Sequence, residues 1–248
     1  MSNELFHQMI GIALGFFGSA AAACEHTMPG VVPRMNLIQY TGGYEEIAQY
    51  AKSKNLSALL LERETKSVVC WSYNAESKYF QTKPEERSKF AYFAQFESVV
   101  FSKDAKIRSM KIKDNSGTYE MSVIELFVLL LNAIKETALA QVEMNRKDMF
   151  GEAYRPLDPK EVLYVLTVPA LWDDEVNIFY KKKEWKTMRE CGQKCGMHNI
   201  EICFEPIAAT FAVVSHSHSK DSDDTKRLQF FEELSYFLFF FFLWLQNK

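Results

Sequence analysis

The pattern of apolar and polar positions predicts alternating strands and helices along the chain. Residues 10–23 form an apolar run that could be the core of a signal peptide, but the run lacks a preceding basic region and is punctuated by glycines at 11, 15 and 18, which fits a strand, a glycine turn and a second strand. Residues 55–69 predict a strand, a charged turn and another strand. Residues 104–121 alternate apolar and charged positions around an Asn-Ser-Gly turn at 115–117, which is typical of another hairpin. Hairpins of this kind favour a sheet with antiparallel neighbours.

A long helix is predicted directly after this third hairpin. Ser122 and Glu125 have the spacing of a capping box, which satisfies free backbone N–H groups at the start of a helix. Apolar residues then recur on one broad face as far as about Asn145. Polar and charged residues interrupt this face, so we expect it to pack on a sheet rather than enter a membrane.

Residues 162–214 predict a strand, a helix, a second strand and the start of a second helix. The first strand, residues 162–168, is apolar and ends at Pro169. The first helix is expected to run from a cap at Asp173 to a left-handed C-cap at Gly196. Residues 200–204 form the second strand, and the Glu205-Pro206 pair begins a helix over 207–214. This order predicts an α/β layer.

Three consecutive motifs in this region resemble one known family. The strand end VLTVPALW, the helix closing in a CGM turn and the run FEPIAATFAVV are similar to lobe I of the ATPase domain in the heat shock protein 70 family, in particular its divergent 12A/12B branch. The resemblance implies an α/β fold of the actin-like ATPase (ribonuclease H-like) lobe I type, an incomplete mixed sheet flanked by helices. It implies ATP and Mg²⁺ as cofactors, and it implies that the catalytic carboxylate of Glu205 orients the metal and water.

The glycine turn of the first hairpin corresponds to the phosphate-binding hairpin of that family. The resemblance assigns cofactor binding to Gly15, Phe16, Phe17, Gly18 and Ser19. However, Ala13 stands where relatives have an aspartate, and two phenylalanines replace a pair of hydroxyl residues. Losing several charge-assisted contacts of about 1.5–3 kcal/mol each would weaken nucleotide binding by orders of magnitude. We therefore expect a degenerate phosphate loop.

A lysine that contacts the transferred phosphate in relatives also has no counterpart here. Gln95 and Glu97 fill the corresponding places, and Lys103 comes several residues too late. The same residues, 92–97, also fit a surface helix with aromatic packing, and the sequence leaves both interpretations open.

Composition limits the remaining classes of function. A formal net charge of -3 argues against a nucleic-acid-binding surface, which needs a basic stripe. Five cysteines without short regular spacings suit free thiols in the cytoplasm. Cys191 and Cys195 are expected to be core residues rather than metal ligands, and the His216/His218 pair lacks a third ligand. We therefore predict no metal site built from these residues.

The division of the chain into domains follows from the extent of the resemblance. Residues 1–214 are expected to form a nucleotide-binding domain consisting of lobe I only, residues 215–229 a polar loop, and residues 230–248 an apolar, divergent tail. The uninterrupted apolar part of the tail, residues 236–245, is about half the ~20 residues that a membrane-spanning helix needs. A protein partner contacting this tail is therefore favoured over a membrane.

The predicted function is that of a divergent, truncated protein similar to the 12A/12B branch of the heat shock protein 70 family, with weak or absent ATPase activity. Two alternatives remain open: an ATP-binding chaperone ATPase that acts in stress response, and a membrane-associated small protein.

Overall fold

The structure is a computed structural model that describes residues 8–15, 18–25, 36–38, 55–96, 109–168, 183–205 and 208. The helices and strands in chain order are β1 (Gln8–Gly15), β2 (Gly18–Glu25), β3 (Asn36–Leu37), β4 (Ala58–Glu62), β5 (Val68–Trp71), α1 (Ser72–Gln81), β6 (Phe90–Ala94), β7 (Lys111–Lys113), β8 (Glu120–Ser122), α2 (Val123–Phe150), β9 (Val162–Val168), α3 (Lys183–Lys194) and β10 (Asn199–Phe204). Short 3-10 turns at Arg87–Lys89, Gly151–Ala153 and Pro159–Glu161 connect some of them.

A five-stranded mixed sheet forms the centre of the described chain, in the order β10-β9-β1-β2-β3. The neighbours β1 and β2 are antiparallel, as are β2 and β3, whereas β9 lies parallel to β1 and β10 lies parallel to β9. The predicted first hairpin and the strand–helix–strand order are both present. The expected fold class, a mixed sheet flanked by helices, is confirmed.

Buried and half-buried side chains alternate along β1, and the buried ones mark the face of the sheet that the helices cover. In β1, the side chains of Ile10, Ile12 and Leu14 are buried. They belong to one core cluster with residues of α2 and α3, so both helices cover this face. Residues between them, such as Met9 and Ala13, are only half-buried. The period of two therefore orients β1 as the sequence predicts for a strand with one fully buried face.

The capping box at the start of α2 is confirmed. The Ser122 Oγ accepts a hydrogen bond from the Glu125 N–H at 3.1 Å, and the Glu125 carboxylate accepts one from the Ser122 N–H at 3.3 Å. The helix continues to Phe150, about one turn beyond the predicted end at Asn145. Neither α2 nor any other helix in the described ranges is long and apolar enough to cross a membrane.

The C-terminus of α3 agrees with the prediction. Gly196 follows the helix with a φ of 76°, the left-handed conformation expected of a C-cap glycine. The buried ammonium of Lys135, on α2, donates to the Cys195 carbonyl at 2.6 Å and so satisfies an acceptor left at this helix end. The predicted cap at Asp173 lies outside the described residues.

A second, three-stranded sheet has the order β5-β4-β6. It shows whether residues 92–97 form the surface helix that the sequence leaves open. The described part is a strand rather than a surface helix, because Tyr92 and Phe93 pair with β4 in β6. The central strand β4 is buried on both faces: Leu59 and Leu61 enter the main core, and Leu60 joins a smaller cluster beneath α1. The helical interpretation of this segment is therefore wrong. Glu97 and Lys103 lie outside the described residues.

A buried carboxylate attaches the β7–β8 hairpin to this second sheet. The Asp114 side chain is fully buried and accepts hydrogen bonds from the Tyr119 N–H and the Thr118 N–H within its own turn. It also pairs with the Arg63 guanidinium at 2.9 Å, and Arg63 Nε donates to the Phe90 carbonyl. The turn predicted at 115–117 is present, with Gly117 at a φ of 73°.

Replacing Asp114 by alanine should destabilise the protein by about 3 kcal/mol, because it leaves the largely buried Arg63 guanidinium without its carboxylate. Urea unfolding followed by circular dichroism measures this loss. The matched control is Glu120→Ala in the same hairpin, which removes an exposed ion pair with Lys111 at 3.8 Å and should cost less than about 1 kcal/mol. Equal effects for the two variants would contradict the role given to Asp114.

Candidate functional site

The candidate site lies at the edge of the central sheet where the three parallel strands end. The register pairs Ile12 with Leu166 and Phe204 with Val168, so β1, β9 and β10 have their carboxyl ends at one edge. Extending this register places Gly15 and Glu205 level with each other, two strands apart, which corresponds to about 10 Å between their backbones. Open α/β sheets bind ligands at this edge. The register therefore puts the predicted carboxylate and the end of the predicted hairpin at the same edge of the sheet.

The glycines of the hairpin keep the geometry of a tight turn. Gly15 pairs with Gly18 at the end of the β1–β2 ladder, leaving two residues between them. Gly18 has a φ of 137°, which a residue with a Cβ rarely adopts. The two intervening residues, Phe16 and Phe17, lie outside the described residues, so their assignment to cofactor binding stays a prediction.

Ser19 is committed to a contact inside the protein. Its N–H donates to the Asn55 carbonyl at 2.8 Å, and its carbonyl accepts from the Asn55 N–H at 2.8 Å. The residue is 0% exposed, and its hydroxyl has no hydrogen-bond partner in the described part of the chain. In this arrangement the N–H of Ser19 is already bonded inside the protein, and its hydroxyl is buried.

The sequence analysis did not identify Asn55. Its contact with Ser19 uses backbone atoms only, so the contact does not depend on which side chain stands at position 55. Its pairing with Ser19 joins the central sheet to the segment that enters β4. The same segment reaches Gln95, whose N–H donates to the Ser57 carbonyl at 3.2 Å. Because Ser57 follows Asn55 by two residues, or about 7 Å of extended chain, Gln95 lies on the side of the molecule that carries the hairpin.

Gln95 also has an unusual backbone conformation. Its φ of 52° is positive, as it is at Lys66 and Ser72, and this conformation costs a non-glycine residue about 1–3 kcal/mol. The resemblance places a phosphate-contacting lysine within a residue or two of this position. Here Gln95 carries an uncharged amide.

Ala13 lies beside Thr167 at the half-buried face of the sheet. Each is one residue beyond a parallel pair, Ile12 and Leu166, so the register sets them side by side on β1 and β9. The Thr167 hydroxyl is buried and has no hydrogen-bond partner among the described residues. Where relatives are expected to have a carboxylate, this chain therefore has a methyl group next to a neutral hydroxyl.

Glu205 stands at the beginning of a helix after β10. Glu205 and Ala208 are both helical, and Glu205 is half-buried. Burial raises the pKa of the nearby Cys203 thiol, whereas the Ala208 N–H, which donates to the sulfur, acts in the opposite direction. The start of this helix is thus held against β10, which supports the position of Glu205 at the edge.

The described residues contain no group of three or more His, Cys, Asp or Glu side chains that could hold a metal ion. Cys191 and Cys195 lie in the main core. Burial raises the pKa of Cys195 to about 12, and its thiol donates to the carbonyls of Val128 and Cys191. A thiol that stays protonated at neutral pH is a poor metal ligand. His216 and His218 lie outside the described residues.

The arrangement of the central sheet defines the class of fold, a mixed α/β sheet flanked by helices. No protein-family profile matches the sequence, and the search of curated proteins found no match. Among solved structures, the chain is similar to MreB5 of Spiroplasma citri bound to ADP, with 11% identity and a TM-score of 0.39. The alignment covers 83% of this chain and 40% of that chain, so this protein spans less than half the length of its structural neighbour.

Ser19→Ala should leave the protein at least as stable as the wild type, with a gain of up to about 1 kcal/mol, because it removes a buried hydroxyl that has no partner. Urea unfolding checks this expectation. The matched control is Ser122→Ala, which removes a hydroxyl that caps α2 and should cost about 1 kcal/mol. A clear loss of stability in Ser19→Ala would mean that the Ser19 hydroxyl makes a stabilising contact.

Proposed function

We propose that this protein is a divergent relative of the 12A/12B branch of the heat shock protein 70 family. It keeps the scaffold of lobe I but lacks the side chains that bind nucleotide phosphates. It hydrolyses ATP weakly or not at all, and it acts through contact with another protein. The observation that carries this proposal is the edge formed by Gly15, Gly18 and Glu205, beside which Ala13 has no carboxylate and the N–H of Ser19 is already bonded to Asn55.

The magnitude of the lost interactions supports a non-catalytic role. The aspartate, the hydroxyl pair and the lysine implied by the resemblance are replaced by Ala13, Phe16, Phe17 and Gln95. Three charge-assisted contacts of about 1.5–3 kcal/mol each amount to about 4.5–9 kcal/mol. Because every 1.4 kcal/mol is a factor of about ten, the loss exceeds about a thousandfold in affinity.

The residues present do not fit Mg²⁺ with a triphosphate. Glu205 is a carboxylate at the right edge, but a metal that activates water for attack on a phosphate needs several oxygen ligands in a fixed arrangement. Ala13 supplies none, and the N–H of Ser19 is already bonded to Asn55. We therefore assign no catalytic step to this edge.

The chain is divided into three parts, of which the last contacts the partner. Residues 1–214 form the nucleotide-domain-like unit, residues 215–229 a polar connection, and residues 230–248 an apolar tail through which a protein partner in the cytoplasm is contacted. The phenylalanine-rich composition of this tail motivates the assignment, since apolar residues of this kind, wherever they are exposed, commonly mark a protein interface.

Calorimetric titration of the full chain with ATP, with and without Mg²⁺, tests the proposal. We expect a Kd weaker than about 1 mM in both cases, which corresponds to less than about 4 kcal/mol of binding free energy. We expect no ATP turnover above that of a Glu205→Gln variant. A micromolar Kd that depends on Mg²⁺, together with turnover abolished by Glu205→Gln, would instead establish the working ATPase.

A gain-of-function variant distinguishes a lost phosphate hairpin from an unrelated turn. Ala13→Asp combined with Phe16→Thr and Phe17→Thr restores the groups that the family resemblance implies, and it should strengthen Mg-ATP binding by at least about tenfold. Cys24→Asp, which adds a carboxylate on the same half-buried face opposite Met9, about 13 Å along the strand from Ala13, is the control and should have no effect. Unchanged affinity in the restored variant would mean that these positions never formed a phosphate site.

A further inference from the structure

A small cavity lies at the end of the central sheet opposite the candidate edge. It has a volume of about 140 Å³ and lies between the start of β1, the end of β2 and the last turns of α2. Gln8, at the start of β1, lines it, whereas Gly15 is seven residues further along the strand, or about 23 Å away. The cavity is therefore separate from the site considered above.

The chemistry of the cavity is dominated by Arg146. This arginine is 8% exposed, and among the described residues it is the only positively charged one that lines the cavity. Its Nη1 lies 3.5 Å from the Glu25 carboxylate, longer than the about 2.7–2.9 Å of a charge-assisted hydrogen bond. Its Nε is buried and has no hydrogen-bond partner in the described chain.

A buried guanidinium with so few acceptors is unusual, because removing a charge from water costs several kcal/mol unless its donors are satisfied. One face of the group lies over the Phe150 ring at 5.4 Å, which offsets part of this cost. Gln8 does not supply a further donor to a ligand, since its side-chain N–H₂ already donates to the carbonyls of Cys24 and Met9. Arg146 is thus the group in the cavity that still needs an acceptor.

The rest of the lining combines two polar residues, Asn36 and Asn145, with apolar walls that suit a short hydrocarbon chain. The apolar walls are Ala23, Val142 and Met149, and Met149 is 66% exposed. A protein cavity of about 150 Å³ lined by apolar groups holds one molecule of the size of benzene, or about six non-hydrogen atoms. An aliphatic acid with about four carbons has the same number of non-hydrogen atoms.

We propose that this cavity binds a short aliphatic monocarboxylate. The ligand's carboxylate pairs with the Arg146 guanidinium, and its hydrocarbon chain packs against Val142 and Met149. The Glu25 side chain, which is 41% exposed, turns toward solvent as the ligand's carboxylate takes its place beside Nη1. A planar carboxylate matches the donor fork of arginine better than a larger dianion, which Glu25 would repel more strongly.

Titration of the full chain with sodium butyrate, followed by NMR chemical shifts, tests the proposal. We expect saturable shifts around α2 and β2, and binding of 1-butanol that is at least about tenfold weaker because the alcohol lacks the charge that pairs with arginine. Inorganic phosphate should not compete. Butanol binding as tight as butyrate binding, or no saturable response to butyrate, would overturn the proposal.

Two variants assign the binding to the proposed groups. Arg146→Gln should abolish butyrate binding, and Glu25→Gln should strengthen it several-fold because the competing carboxylate is gone. Lys147→Gln, at an exposed cation beside Arg146, is the control and should leave the affinity unchanged. If Arg146→Gln fails to fold, Glu25→Gln decides alone: unchanged or weaker butyrate binding in that variant contradicts the proposal.

Discussion

The central sheet depends on one constraint: β9 pairs in parallel with β1 on one side and with β10 on the other. The register places the strand ends at Gly15 and Glu205 on one edge, although these two residues lie near opposite ends of the chain. It is stabilised from one face by α2 and α3, whose buried residues form a single cluster with Ile12 and Leu166. The two helices therefore hold in place an edge that they do not themselves form.

The contact between Ser19 and Asn55 shows how the scaffold and a phosphate site compete for the same groups. The pair of 2.8 Å backbone hydrogen bonds joins the central sheet to the segment leading into β4. Because the N–H of Ser19 donates to Asn55, it is not available to donate to a phosphate at the edge. Ala13 on β1 likewise presents a methyl group in place of a hydrogen-bonding side chain.

Local patterns predicted the elements well where the physical signal was local. The capping box at Ser122 and the C-cap glycine at Gly196 depend on residues within one turn, and both are present. Residues 92–97 are ambiguous in the sequence because Tyr92 and Phe93 belong to a strand through their pairing with β4, which lies far earlier in the chain. The position of Glu205 at the edge could be expected from the strand–helix–strand order. The Asn55 contact and the Arg146 cavity could not, because both depend on long-range packing.

The central claim is that this edge keeps the backbone of a nucleotide lobe without the groups that hold phosphates. A crystal structure of the full chain grown with millimolar Mg²⁺ and a non-hydrolysable ATP analogue tests it most directly. We predict no phosphate density against the turn between Gly15 and Gly18, and no metal ion beside Glu205. Phosphates seated on that turn, with a metal ion held next to the Glu205 carboxylate, would contradict it.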